Sequence, residues 1–349
     1  MKQLNKTITI DGFEISKESE TYIIAEAGVN HNGDMSLAKE LIDIAKEAGA
    51  NAVKFQTFKA DDLILKTVNK APYQKRTTDK SETQYEMLKC LEVSKEQNCE
   101  LIDYSKKKQI TFLSTPFEKN SLEELEELNV PAYKIAATDL TNIQFLRQVA
   151  KKHKPIILSA GMCYLEEVEK AVDTISESNQ NLILLQCTAN YPIQDEEANL
   201  RVVTSFIDKF DMIVGYSDHS SGIGASPYAV ALGAKVIEKH FTLDKTLKGP
   251  DHKASVTPDE LKKLVLEIRK VEKYLGDGVK MPTYSEQATR RSLQKCLVAD
   301  KEIKKGDIIT GESIVAKRTD GIGISALYYD NVIGKRAEKN YNKNDIIVL

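Results

Sequence analysis

The stretch YIIAEAGVNHNGDMSLAKELIDIAKEAGANAVKFQTF, residues 22–58, decides the fold. It opens with an almost wholly apolar run, 22–28, and closes with another, 52–58. Runs that are apolar at both alternations read as strands buried on both faces, as a parallel sheet requires. Between them, SLAKELIDIAKEA (36–48) places Leu37, Leu41, Ile44 and Ala48 on one helical face, and Gly49 follows as a stop. The stretch is therefore a strand–helix–strand unit. Six further runs of the same kind lie at 110–117, 132–138, 155–161, 181–188, 212–219 and 234–241. Eight strand–helix units in about 280 residues predict an α/β chain folded as a (β/α)8 TIM barrel. The alternative is an open doubly wound sheet, but no glycine fingerprint follows the first run.

Outward from this core, Thr7 to Ser16 around Asp11-Gly12 predicts a small hairpin ahead of the first barrel strand. The connection from the second strand to the third, about 59–109, is long enough to act as a lid or substrate wall. Thr257-Pro258-Asp259-Glu260 is a capping box with proline at the first helical position. The helix that it opens carries Leu261, Leu264, Val265, Ile268 and Leu275 on one side. Near residue 276 the character changes, and GDGVKMPTYSE reads as a linker. The expected division is a catalytic barrel over 1–280, a linker over 281–289 and a small β-rich domain over 290–349. That last stretch holds 12 Lys and Arg against 8 Asp and Glu, whereas the whole chain has a net charge of −3. A basic tail beside an acidic body offers either docking complementarity or a cation for an anionic ligand.

The composition sets outer limits. The chain has 349 residues, 41% hydrophobic and 29% charged, enough apolar material for a large core. The slightly acidic balance gives no general affinity for nucleic acid. No run of 18 apolar residues offers a membrane span, and the N-terminus lacks an apolar signal core. The five cysteines are scattered and never form a CxxC pair, so they read as reduced thiols of a cytoplasmic protein.

A barrel places its chemistry at the C-terminal ends of its strands. All eight runs carry polar groups there: Glu26; Lys54 and Gln56; Ser114 and Thr115; Lys134 and Asp139; Ser159; Thr188, Asn190 and Tyr191; Ser217, Asp218 and His219; Glu238 and His240. Strand ends are wetter than strand middles in general, but two lysines inside strands are costly to bury without anionic partners. His219 and His240, two of only five histidines, fall on adjacent strand ends. Two imidazoles with oxygen ligands suit Mn²⁺, Fe²⁺ or Zn²⁺ better than Mg²⁺; hydrogen-bonded core histidines are the alternative. Lys54, Lys134, Ser159 and Ser217 together suit a phosphate or carboxylate. Equally, Lys134 could form the Schiff base of an aldolase. Arg318, followed by glycines at 321 and 323, lies on an adaptable loop of the tail.

Taken together, IIAEAGVNHNGD (23–34), AVKFQTFKAD (52–61), FLSTPF (112–117), YKIA (133–136), ILSAGM (157–162), GYSDHSSGI (215–223), IEKHFTLDKTLKGPDHKAS (237–255) and KRTDGIGIS (317–325) resemble the bacterial sialic acid synthase family, which includes N-acetylneuraminate, legionaminate and pseudaminate synthases. The resemblance spans nearly the whole chain. It implies a C-terminal SAF domain, similar to type III antifreeze proteins, swapped across a homodimer so that one arginine enters the partner's site.

The resemblance further implies a condensation of phosphoenolpyruvate with an N-acetylated amino sugar aldehyde, N-acetylmannosamine or a 2,4-diacetamido-6-deoxy hexose, with release of phosphate. A divalent metal, usually Mn²⁺ with Mg²⁺ or Co²⁺ as alternatives, matches onto His219 and His240. Glu26 matches the carboxylate that orients or activates water, and Asp139 and Glu238 are the further carboxylates counted as catalytic. Lys54, Thr115, Lys134, Ser159 and Ser217 match phosphoenolpyruvate contacts. Gln56, Tyr191, Glu238 and Asp251 match sugar-side positions, and Arg318 matches the donated arginine. Three positions depart from the family pattern: Ala137 replaces a serine, Asp139 a longer glutamate, and Ala189 an asparagine. FKAD, APYQ and the surroundings of Tyr191 are nearer the N-acetylneuraminate and legionaminate branches than the pseudaminate branch. A lysine Schiff-base aldolase on the same barrel remains the alternative enzyme, and a non-enzymatic binding protein the alternative class.

Overall fold

The computed structural model describes residues 2–71, 74–78 and 81–348. Pro72 and Tyr73 of the APYQ stretch lie outside the described residues. The chain divides into two compact units, Met1–Gly276 and Asp277–Leu349.

In the first unit, a hairpin of β1 (Thr7–Ile10) and β2 (Phe13–Ser16) precedes eight parallel strands. These are β3 (Tyr22–Gly28), β4 (Ala52–Thr57), β5 (Thr111–Pro116), β6 (Tyr133–Ile135), β7 (Ile156–Ser159), β8 (Leu182–Cys187), β9 (Val214–Asp218) and β10 (Val236–His240). They close into a barrel in sequence order, with β10 pairing back onto β3. Each strand falls within one of the eight apolar runs, so the (β/α)8 expectation holds.

The strand period of two separates two cores. Side chains pointing outward, such as Ile23, Ala25, Val53, Phe55 and Phe112, pack under the helices. Those pointing inward, such as Tyr22, Ile24, Ala52, Leu113, Ile157 and Val236, fill the barrel with Ile8, Ile10 and Ile15 from the hairpin. The hairpin thereby contributes to the barrel's inner core. Two residues further along the same inward stripes come Glu26 after Ile24, Lys54 after Ala52, Thr115 after Leu113, Ser159 after Ile157 and Glu238 after Val236. The polar layer thus rests on an apolar one, and the alternation that buries the core also aims the charged groups. Gly215 holds the inner layer open, since a Cβ there would lie 2.3 Å from the Val236 carbonyl oxygen and 2.5 Å from Leu185.

Two helices differ in detail from the sequence reading. In Met35–Glu47 the buried residues are Ala38, Leu41, Ile42 and Ala45, while Leu37 and Ile44 are half-buried. The buried stripe has turned toward the small alanines, which let the helix approach the barrel. The helix Pro258–Leu275 carries the expected capping box and buries Leu261, Leu264, Val265 and Ile268. Its last residue, Leu275, is exposed, because the helix outruns the barrel wall it packs on. The long β4–β5 connection holds short helices at Ala60–Leu63, Gln74–Thr77 and Gln84–Lys89 before the helix Lys95–Lys108.

In the second unit, a helix, Tyr284–Leu293, occupies much of the stretch read as a linker. It precedes an antiparallel pair, β11 (Lys295–Ala299) and β12 (Ile314–Arg318), supplemented by isolated bridges. Leu297, Ile303, Ile309, Ile314, Tyr341 and Ile347 belong to this unit's own core. Among the described residues no helix is long and apolar enough to cross a membrane.

Candidate active site

A cavity of about 590 Å³ opens at the C-terminal ends of the barrel strands. Its floor is a charged quartet from four different strands, β3, β4, β6 and β10. Glu26, Lys54, Lys134 and Glu238 are only 1%, 3%, 3% and 4% exposed. The Lys54 ammonium lies 2.8 Å from Glu26 and 3.6 Å from Glu238, and Lys134 lies 3.6 Å from Glu238. Two cations and two anions therefore balance in a site shut off from bulk water, which is the condition for burying any of them.

Hydroxyls and one amide complete the layer. Lys54 donates to Thr115 Oγ1 at 2.9 Å and Lys134 to Ser159 Oγ at 2.8 Å. Ser217 donates to Glu238 at 2.9 Å, and Gln56 donates to Glu26 at 3.1 Å. The two carboxylates titrate in opposite directions. Burial raises the Glu26 carboxyl well above the usual range, and Lys54 offsets this only in part. Burial alone would also raise Glu238, but the ammonium groups of Lys134 and Lys54 together hold it low. Burial likewise lowers Lys134, whereas at Lys54 it is outweighed by the charges of Glu238 and Glu26, which raise it. Glu238 is thus a fixed anion, while Glu26 can take up and release a proton.

His219 and His240 stand on one side of the floor, their ring centroids 5.6 Å apart. Tyr191 packs on both, at 4.1 Å from His219 and 5.5 Å from His240. Burial lowers both imidazoles, His219 to about 4, so both are neutral near pH 7. His219 Nδ1 donates to the Thr188 carbonyl at 2.7 Å, which makes Nε2 the lone-pair nitrogen, and that atom lies 3.5 Å from Ser217 Oγ. His240 Nδ1 is buried without a hydrogen-bond partner. Among the described residues no group of three or more His, Cys, Asp or Glu is arranged to hold a metal. His219 and His240 are the two neutral imidazoles here that could hold a divalent ion, one with its Nδ1 engaged and one with its Nδ1 unpartnered.

Asp251 also lines the cavity, and burial raises its carboxyl to about 6. Of the residues singled out from the sequence, Glu26, Lys54, Gln56, Thr115, Lys134, Ser159, Tyr191, Ser217, His219, Glu238, His240 and Asp251 all line this one cavity. Asp139 does not. β6 ends at Ile135, and a 3₁₀ turn, Ala137–Asp139, swings the carboxylate toward Thr138 and Asn142. Arg318 ends β12 in the second unit and is exposed there. The small side chains of Ala137 and Ala189 also line the cavity. The long 59–109 connection forms the substrate wall expected of it, through Leu63, Ile64, Leu88 and Leu91, with Phe58 and Phe117 beside them; the sequence reading singled out none of these side chains. It also missed Cys187, whose sulfur lies 3.7 Å from His219 Nδ1.

Residues 41–280 match the NeuB family, and residues 294–349 match the SAF domain. The chain belongs to the NeuB family. It is 49% identical to the N,N'-diacetyllegionaminic acid synthase of Campylobacter jejuni, over 94% of this chain and 99% of that protein. It is 46% identical to the enzyme of the same name from Legionella pneumophila, over 95% of this chain and 94% of that one. Among solved structures, it resembles the N-acetylneuraminic acid synthetase of Leptospira borgpetersenii, with a TM-score of 0.73 and 37% identity over 84% of this chain and 99% of the other. The NeuB stretch contains every cavity residue discussed above except Glu26. The SAF stretch contains Arg318.

Proposed function

We propose that this NeuB-family chain condenses phosphoenolpyruvate with the open-chain aldehyde of an N-acetylated amino sugar, consuming water and releasing phosphate. The observation that carries this reading is the buried quartet: two lysines balanced by two carboxylates on the floor of a cavity of about 590 Å³. Lys54, Lys134, Thr115, Ser159 and Ser217 bind the phosphate and carboxylate of phosphoenolpyruvate, since charge-assisted donors suit a small polyanion. The methylene carbon of phosphoenolpyruvate then bonds to the aldehyde carbon, and the aldehyde oxygen takes a proton. Water adds to the resulting cation at C2. Ionised Glu26 takes the proton of that water, and Glu238 stabilises the cation. The C2 hydroxyl oxygen then forms the carbonyl as the C2–O bond to phosphate breaks, and phosphate leaves with the bridging oxygen, its bonding electron pair and the hydroxyl proton. A divalent ion at His219 and His240, with Mn²⁺ the first choice and Mg²⁺ or Co²⁺ alternatives, would polarise the aldehyde carbonyl.

Gln56, Tyr191 and Asp251 take the sugar. The outer wall of Leu63, Ile64, Leu88 and Phe117 is apolar. It favours a sugar with a methyl in place of the C6 hydroxyl and a second acetamido group, which agrees with the two N-acetyl groups in the names of the Campylobacter and Legionella relatives. A 2,4-diacetamido-6-deoxy hexose is therefore the preferred substrate over N-acetylmannosamine. Phosphate release over a panel of aldehyde sugars tests this. The diacetamido-6-deoxy sugar should show at least a tenfold higher kcat/KM, and a preference for N-acetylmannosamine would reverse the assignment.

The enzyme works as a homodimer in which Arg318 of one copy serves the cavity of the other, as the family resemblance implies. A guanidinium suits the task because it orients a carbonyl oxygen without titrating. Arg318→Ala and His240→Ala proteins should each be nearly inactive. Co-expressed, they should recover activity through one intact site per mixed dimer. Verified mixed dimers without activity would contradict action in trans.

The second reading, a Schiff-base aldolase, draws on the lowered Lys134 ammonium, since a buried lysine is a better nucleophile.

A further inference from the structure

A buried ion pair lies behind the cavity and takes no part in lining it. Asp218 and Lys239 are each 1% exposed, and they face each other across β9 and β10, 3.2 Å apart. The strand alternation explains the placement. Ser217 and Glu238 pair on the inward face, so the next residues, Asp218 and Lys239, pair on the outward face under the helices. Each lies next in sequence to one of the two histidines, Asp218 before His219 and Lys239 before His240.

The contacts of this pair converge on the turn that carries His219. One Asp218 oxygen accepts from Ser220 N at 2.9 Å and from the Ser220 hydroxyl. The other accepts from Ser226 N at 3.0 Å and Ser226 Oγ at 2.6 Å. Lys239 donates to the Ser220 carbonyl. Residues on both sides of His219 are therefore held from behind. Gly224 packs against the cluster with φ +60°, and a Cβ there would lie 3.1 Å from both Asp218 Oδ2 and Lys239 Nζ. A hydrophobic pair would fill the same volume without a charge to desolvate, so stability alone does not require this one.

We infer that Asp218 and Lys239 are positioning residues that fix the distance between the His219 and His240 rings by locking the ends of β9 and β10. The inference deepens the proposed function and rests on its two-imidazole metal site. The test is Mn²⁺ titration of the full-length protein, followed by the resonance of free Mn²⁺, beside steady-state kinetics and a crystal structure of the variant. Asp218→Asn turns an amide nitrogen against donors of Ser220, Ser226 or Lys239. It should weaken Mn²⁺ binding at least tenfold and lower kcat, with the KM for phosphoenolpyruvate within twofold of wild type. Asp218→Glu should restore part of the affinity. If Asp218→Asn does not fold, Ser226→Ala removes one hydroxyl and no charge, and should weaken Mn²⁺ about threefold. A folded variant with wild-type Mn²⁺ affinity overturns the inference. Failure of the wild type to bind Mn²⁺ would instead count against the metal site. In that event the variant structure decides: a His219 ring moved off the Thr188 carbonyl supports positioning, and two unmoved rings overturn it.

Discussion

Lys134→Ala is expected to lower kcat/KM for phosphoenolpyruvate by roughly 10- to 150-fold, equivalent to about 1.5–3 kcal/mol for one charge-assisted contact. The KM for the sugar should stay within twofold. The reason is local: Lys134 bonds Ser159 and faces Glu238 on the floor, away from the apolar outer wall. Lys54→Ala should reduce phosphoenolpyruvate use to a similar degree and also unfold at a lower temperature. Without Lys54, Glu26 loses its ion pair while Glu238 keeps Lys134 and Ser217. Breaking a buried pair costs about 3–5 kcal/mol, because a charge is left uncompensated. Steady-state kinetics and thermal melts of both variants separate the two effects. A Lys134→Ala enzyme with wild-type kcat and KM for phosphoenolpyruvate would remove Lys134 from the anion site.

Metal removal should have the larger effect. Chelation is expected to abolish phosphate release, and added Mn²⁺ should restore it. His219→Ala and His240→Ala should each lower kcat roughly 100-fold or more, since carbonyl polarisation supplies several kcal/mol. The two neutral imidazoles, one oriented by the Thr188 carbonyl and one with an unpartnered ring nitrogen, motivate this. Full activity in a rigorously demetallated sample would refute it.

The barrel was legible because parallel strands buried on both faces leave nearly continuous apolar runs, and each run became one strand. The floor was legible for the same reason: a lysine inside such a run, as at 54 and 134, must point somewhere and must be paired. Asp139 lies outside the cavity lining because β6 is three residues long and the chain leaves it by a 3₁₀ turn, which strand alternation cannot foretell. The outer wall comes from short helices in the β4–β5 connection. One signal was present, since Thr83 with Glu86 forms a capping box, but helices of four to six residues have almost no periodicity to read. Leu275 fits its helical stripe, yet only the barrel's dimensions decide that the stripe runs out before it.

The account's central claim is that the lysines hold an anion and do not form a covalent bond to a carbonyl. It is tested most directly by turnover of phosphoenolpyruvate labelled with ¹⁸O at the bridging oxygen, run beside pyruvate and borohydride. The account predicts that the label leaves entirely in phosphate, that pyruvate is not a substrate, and that borohydride leaves the mass of the chain unchanged. Turnover of pyruvate with a borohydride-trapped adduct on Lys134 would contradict it.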